Sequence, residues 1–410
     1  MKYIVVLGDG MADYPIEELD NKTPLQYAHT PIMDYLAAHG RVGMVRTIPD
    51  GMPPGSDTAN LSVMGYDPRK YYSGRSPFEA ASMGVKMEDN DITFRCNLVT
   101  LSDDLPYEEK IMIDHSSDEI SSQEAVGLIR EVNRFLGSRD IKFYPGISYR
   151  HLMIWSHGPY QWRLTPPHDI LGQRIRRYMP RGEGSDIIEK MMKKSAEFLE
   201  NHHVNRERRA KGLKPANSIW IWGEGKRPKL SSFFDKYGVK GSVISAVDLI
   251  KGIGLCAGLK PLDVEGATGN IHTNFLGKAQ AALDALLKDD QDFVYVHIEA
   301  PDECGHRYEI ENKVKSIELI DKEVVGVIRE GMERHGQEYR IMVLPDHPTP
   351  LSIRTHTREA VPFLIYQNSD ERDNPGQTYD EATAQRSGLS IEEGYKLMDF
   401  FLKDKYSEEA

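Results

Sequence analysis

Apolar residues fall into two textures along this chain. Residues 3 to 7, Tyr-Ile-Val-Val-Leu, run without alternation, as a strand buried on both faces of a parallel sheet does, and the run stops at Gly8-Asp9-Gly10. Residues 24 to 40 predict a helix ending at Gly40, and residues 41 to 48 a short strand. The same rhythm returns late in the chain. It predicts a strand at 241–245, helices at 247–257 and 275–288, a strand at 293–298, a helix from about 311 to 335 and a strand at 340–344. Such alternation builds a parallel sheet, and the run at 3–7 is expected to join it.

Between these halves the texture differs. Residues 71–78 read as a loop, and alternating strands are predicted at 92–99, 142–146, 151–155 and 218–222. Amphipathic helices are predicted at about 122–136 and 185–210, the second ending in a basic run (Arg206, Arg208, Arg209, Lys211) read as a solvated face. Residues 223–228 read as a turn that serves as a hinge. The expected fold is therefore α/β: a core of residues 1–72 and 236–410 with a mostly parallel sheet flanked by helices, interrupted by an inserted α+β unit of residues 73–235.

At 410 residues the chain is too long for one ordinary core. Its net charge of -12, from 51 basic and 63 acidic residues, disfavours nucleic acid and anionic membrane as partners. An anionic substrate would then need local cations or metals. No window approaches the roughly 18 uncharged apolar residues of a membrane span. Cys96, Cys256 and Cys304 lie far apart, form no framework and are read as mostly buried free thiols of a reducing, cytoplasmic setting.

The stretch 49–68, P-D-G-M-P-P-G-S-D-T-A-N-L-S-V-M-G-Y-D-P, carries candidate chemistry. Its prolines and glycines deny regular structure until Ser56, after which apolar side chains fall at helical spacing. Ser56 is expected at or near an N-cap, where backbone N–H groups favour an anion and where a hydroxyl could either cap the helix or attack a phosphoryl group. Asp9, Asp302 and Asp346 all fall at the carboxyl ends of predicted parallel strands, where α/β sheets bind ligands. His306, at a D-x-x-x-H spacing read as one side of a turn, joins them, with His347 and His356 in reach. Carboxylates and imidazoles in that number suit two borderline divalent cations such as Mn²⁺ or Zn²⁺, spaced for displacement at phosphorus.

Eight segments together resemble a known family: Gly8-Asp9-Gly10, P-G-S-D-T-A-N-L-S-V-M-G-Y-D-P, Y-Y-S-G-R-S-P-F-E-A, F-R-C-N, G-L-K-P-A-N, V-I-S-A-V-D-L-I-K-G-I-G, E-A-P-D-E-C-G-H and P-D-H-P-T-P. They are similar to those of the archaeal-type cofactor-independent phosphoglycerate mutases, members of the alkaline phosphatase superfamily, over nearly the whole chain. The resemblance implies an alkaline-phosphatase-like core with an inserted cap, and exchange of 2- and 3-phosphoglycerate through phosphoserine at Ser56, without 2,3-bisphosphoglycerate. It implies two divalent metal ions, manganese or zinc, with magnesium and cobalt also compatible. Asp302, His306 and His356 would hold one; Asp9, Ser56, Asp346 and His347 the other. Arg75 and Arg95, inside matching motifs, are the first choices for the small phosphorylated anion, followed by His115, Arg209 and Lys251. One departure is Trp222-Gly223-Glu224-Gly225, where the archaeal proteins typically show R-G-x-G. A homoserine kinase-like phosphotransferase, or a metal-dependent phosphatase using the same serine and metals, is the alternative; the oligomeric state is left open.

Overall fold

The computed structural model describes residues 1–103 and 105–403; the end of the expected core segment, 404–410, lies outside them. The chain clusters into two compact units, Met1–Tyr72 together with the chain from Lys229 onward, and Ser73–Pro228. The sequence reading puts the return at 236 instead. In chain order the strands are β1 (Lys2–Gly8) and β2 (Arg41–Val45), then β3 (Asp91–Leu101), β4 (Met112–Asp114), β5 (Ile141–Tyr144), β6 (Arg150–Ser156) and β7 (Ser218–Lys226) in the second unit. Back in the first unit follow β8 (Gly241–Ile244), β9 (Lys260–Leu262), β10 (Phe293–Ile298), β11 (Tyr339–Leu344), β12 (Val361–Gln367) and β13 (Ser390–Ile391).

The first unit is built on an eight-stranded sheet of order β13-β2-β12-β11-β1-β10-β8-β9. The expected parallel α/β sheet is present, with β1 at its centre. β1 lies parallel to β10 on one side and to β11 on the other, with Gly8 opposite Ile298 and Leu7 opposite Leu344. The three strands therefore end level at one edge. All residues of β10 and β11, and Ile4–Gly8 of β1, are buried, which accounts for their unbroken apolar runs. Ile4, Val6, Val294, Val296, Ile341 and Val343 face the helices Pro31–Ala38 and Phe275–Leu287 and the long helical stretch 310–334. On the opposite face Tyr3 meets Phe401 edge-on, with ring centroids 5.8 Å apart.

Several local expectations are corrected. The single helix read at 24–40 is two, Pro24–Tyr27 and Pro31–Ala38, because Pro31 lacks an N–H and clashes with a preceding turn, so it opens a helix instead. That second helix has no side-chain cap from its own N-cap residue; Asp321 accepts the Met33 N–H at 2.6 Å. Asp321 itself stands in a π-helical turn, Ile320–Val325, within the helical stretch Ile310–Arg334. The helix read at 185–210 is likewise two, Ser185–Leu199 and His203–Ala210. The turn and hinge read at 223–228 is largely strand: β7 continues to Lys226, which lies opposite Ile92. β12, absent from the sequence reading, joins β11 and β2 antiparallel on both sides.

The second unit is an antiparallel sheet in which β3 pairs with β4, β6 and β7. Phe94, Leu98, Leu128, Ile129, Val132, Ile188, Met192 and Trp220 form its core beneath the helices Ser122–Leu136 and Ser185–Leu199. Arg208, read as part of a solvated basic face, is 2% exposed. Its guanidinium donates to Glu124 at 3.0 Å and to the carbonyls of Lys214 and Ser117, so this charge ties elements together.

In the first unit, Lys313 and Asp13 form an ion pair at 2.7 Å with both side chains fully buried. Lys313 also donates to the Thr349 carbonyl at 2.8 Å, and Asp13 accepts the Leu351 N–H at 3.1 Å. The pair thus pins the loop that follows β11. Lys313→Met leaves the Asp13 carboxylate buried and unpaired, and urea denaturation should show a loss of about 3–5 kcal/mol. Arg307→Met, which removes the exposed partner of Glu303, should change stability by less than about 1 kcal/mol. Equal effects would mean that the buried pair is no anchor.

Candidate active site

Each of the three level strands runs out into an acid. Asp9 follows β1, and its N–H is held by the Ile298 carbonyl at 2.9 Å. Asp346 and His347 follow β11 with only Pro345 between, and both are fully buried. Asp302 comes after β10 on the helix Ala300–Arg307, which sets it four residues before His306 on one helical face, where the sequence reading has a turn. Gly10 makes the approach possible. Its φ is +62°, and a Cβ there would lie 2.5 Å from Thr349 Oγ1 and 2.7 Å from Asp302 Oδ1.

Ser56 is the first residue of the helix Ser56–Val63, with Gly55 as the N-cap. Asn60, one turn on, clamps this helix start to the strand ends. Its amide donates to the Ser56 carbonyl at 2.8 Å and to Asp346 Oδ2 at 2.9 Å, and its own oxygen accepts the Tyr295 hydroxyl at 2.7 Å. The sequence reading did not single out Asn60.

The structure brings together all seven residues expected at the metal site. Ser56 Oγ lies 3.2 Å from His347 Nε2 and 3.5 Å from Asp9 Oδ2. His347 Nε2 is 3.5 Å from Asp9 Oδ1 and 3.4 Å from Asp346 Oδ2. Asp302 reaches His306 and His356 at 3.3 Å each, and the Nε2 atoms of those two rings are 2.9 Å apart. Thr349 Oγ1 links the groups, touching Asp302 Oδ1 and lying 3.2 Å from His347 Nδ1. With Thr349 donating to the carboxylate, its oxygen accepts Nδ1–H, and the His347 lone pair on Nε2 faces Ser56. Asp302, His347 and His356 form one group whose ligand atoms lie within 4.8 Å of one another; Asp9, Asp346 and His297 form another. His297 was missed. It is the fifth residue of the apolar run Phe-Val-Tyr-Val-His-Ile, and an imidazole inside such a run reads equally as a core residue.

Burial and the nearby Asp346, Asp302 and Glu299 charges push the Asp9 carboxyl well above the usual range. Burial alone would raise Asp302 too, but hydrogen bonds from His306 and His356 pull it well below. The Asp302 hydrogen bond lifts His306 to about 9. Burial lowers His347, and brings His297 down to about 3.

The expected anion-binding residues are divided. In the second unit, Arg95 pairs with Glu79 at 3.0 Å and stacks over the Trp222 ring at 4.3 Å, and Arg75 reaches the same Glu79 at 3.2 Å. His115 lies edge-on to His168 at 6.0 Å, and His168 to Trp222 at 5.4 Å, so these residues form one cationic and aromatic cluster. Arg209 is engaged with Glu200 and does not join that chain of contacts. Lys251, in the first unit, pairs with Asp263 at 2.6 Å.

A parallel sheet whose central strands deliver acids and imidazoles to a helix-borne serine places the chain in the class of α/β enzymes with their chemistry at the carboxyl edge. Comparison with known proteins narrows this. A family model of 2,3-bisphosphoglycerate-independent phosphoglycerate mutases matches residues 37–205. A protein of Geobacter sulfurreducens, described as a probable 2,3-bisphosphoglycerate-independent phosphoglycerate mutase, is 51% identical, covering 98% of this chain and 100% of its own. One of Methanosarcina barkeri, described as a 2,3-bisphosphoglycerate-independent phosphoglycerate mutase, is 48% identical over 99% and 100%. A solved Pyrococcus horikoshii structure matches with a TM-score of 0.81 at 30% identity, covering 100% of this chain and 99% of that one. The chain belongs to the 2,3-bisphosphoglycerate-independent phosphoglycerate mutase family.

The raised His306 sets a pH dependence for the metal-free protein. A group raised from 6.5 to about 9 on folding stabilises fully below 6.5, and that contribution fades as pH rises through 9. Denaturation midpoints of chelator-treated protein should therefore fall across that window more steeply than those of His306→Asn. Parallel profiles would contradict the Asp302–His306 interaction.

Proposed function

We propose that this chain interconverts 2-phosphoglycerate and 3-phosphoglycerate, with Ser56 as the nucleophile and two divalent cations, manganese or zinc, at the strand edge. The observation that carries the reading is the position of Ser56 Oγ, at the start of a helix and 3.2 Å from His347 Nε2. Ser56 takes the phosphoryl group from one glycerate oxygen as that oxygen takes up the serine proton; after glycerate turns, its other hydroxyl takes the group back and its proton passes to Ser56 Oγ. The fold-level role that follows is a metal-binding core in the first unit and a substrate-holding cap in the second.

The residues fit a pair of cations. Among the described residues the buried Asp9 Oδ1 has no hydrogen-bond donor, His347 Nε2 standing 3.5 Å away, and a carboxylate oxygen tolerates this poorly unless a cation meets it. Carboxylates mixed with imidazoles suit manganese or zinc. Asp302, His306 and His356 would hold one ion, and Asp9, Ser56, Asp346 and His347 the other. When bound, the ions screen the phosphoryl charge and lower the pKa of the serine hydroxyl. On the second unit, Glu79 and Trp222 hold the Arg95 guanidinium in one orientation, which prepares it for a carboxylate or phosphate. Three free cysteines, two of them buried, agree with work in a reducing cytoplasm.

Ser56→Ala should lower mutase activity by at least about four orders of magnitude while the fold, read by circular dichroism, stays unchanged. The assay is conversion of 3-phosphoglycerate with Mn²⁺ and without 2,3-bisphosphoglycerate. Turnover of homoserine with ATP, or simple phosphomonoester hydrolysis in place of mutase activity, would overturn the proposal. Arg95→Gln should reduce kcat/KM about 10–100-fold, the loss of one charged hydrogen bond to substrate, with most of the change in KM. An unchanged KM would leave Arg95 a structural partner of Glu79.

A further inference from the structure

His297 stands behind Asp9 at the centre of the sheet. It lies on β10, one residue before the strand ends, and is wholly buried. Its Nε2 is 3.0 Å from Asp9 Oδ2, and its Nδ1 is 3.2 Å from Ser245 Oγ. Ser245 Oγ already accepts the Val247 N–H at 2.9 Å, so its own hydrogen is free to point at Nδ1. With Asp9 ionised as a metal ligand its carboxylate only accepts, so Nε2 bears the hydrogen and Nδ1 accepts the Ser245 hydroxyl. The backbone of His297 is fixed as well, its carbonyl accepting Lys278 Nζ at 2.9 Å.

We propose that His297 is a positioning residue: it donates Nε2–H to Asp9 Oδ2, which turns Asp9 Oδ1 toward the cation, and does not bind the cation itself. In this arrangement both ring nitrogens are engaged and neither has a lone pair for a metal. The buried, unpartnered Asp9 Oδ1 is then the oxygen left for the ion. The competing arrangement makes His297 a direct ligand, since its nitrogen lies within 4.8 Å of Asp9 and Asp346 oxygens. Outer hydrogen bonds of this kind typically change metal affinity 10- to 100-fold. The inference rests on Asp9 being a metal ligand.

Equilibrium dialysis of the metal-free, full-length protein against Mn²⁺ tests it, with circular dichroism as the control for folding. Glutamine can present an N–H donor near the same place but offers no imidazole. The expected result is that His297→Leu weakens one of the two Mn²⁺ ions about 10- to 100-fold, Ser245→Ala weakens the same ion less, and His297→Gln binds within a few-fold of the unaltered protein. Wild-type affinity in His297→Leu would overturn the inference. So would loss of the ion in His297→Gln as complete as in His297→Leu, which would make the ring a ligand. Should His297→Leu not fold, near-normal binding in His297→Gln together with weakened binding in Ser245→Ala supports the inference, and any other pairing overturns it. Asp9→Asn separates the two layers. Retention of both ions there removes the reading of Asp9 and the inference with it, whereas loss of an ion there with both kept in His297→Leu removes the inference alone.

Discussion

Mutual repulsion between acids held in a dry place is the constraint on which the first unit depends. Asp9 and Asp346 have ligand atoms within 4.8 Å of one another, and two unit charges at such a distance repel by roughly 3–4 kcal/mol even at an effective dielectric constant of 20. Burial adds to the cost of charging Asp9. The surrounding fold answers this with donors: the Gly10 and His347 N–H groups and the Asn60 amide on Asp346, the His297 ring beside Asp9, and two imidazoles on Asp302. Asp9 Oδ1 still has no such donor among the described residues. A site of this kind stores an attraction for positive charge that its own donors do not exhaust.

Register is what creates the crowding. Because Gly8 lies opposite Ile298 and Leu7 opposite Leu344, β1, β10 and β11 end within one residue of one another, and the next few residues of each emerge at nearly the same height. A slip of one residue in β11 would turn its entire side-chain set to the other face and carry Asp346 with it. The buried Lys313–Asp13 pair and the fully buried strands resist such a slip. Ser56 enters the same space from a helix and is tied down by Asn60 through two hydrogen bonds. Fold stability and site geometry therefore draw on the same contacts.

The parallel sheet and the main acids were legible because unbroken apolar runs mark doubly buried strands, and a run that stops at an acid shows where the sheet's reactive edge lies. Asp9 and Asp346 stand out for that reason. His297 did not, since inside an apolar run nothing in the sequence distinguishes a ring facing a polar site from one packed in a core. β12 was missed although Val361 and Phe363–Ile365 are apolar and buried, because Pro362 interrupts the ladder donors that identify an interior strand. Arg208 was misread for a related reason: a basic residue on a helix is assigned to solvent by pattern, and its burial depends on carbonyls from other elements. Local pattern carries the strands and their ends; it does not carry which distant group faces which.

The central placement of β1 also bears on how the chain is made. Its hydrogen-bonding neighbours begin at Phe293 and Tyr339, so at a ribosomal pace of about 5–20 residues per second they emerge roughly 15–70 s after it. During that interval the intervening unit can collapse, while Tyr3–Leu7 waits as an unpaired apolar ribbon. The reactive edge is thus among the last features to exist, and a truncated nascent chain would carry Ser56 and Asp9 without the partners that give them their chemistry.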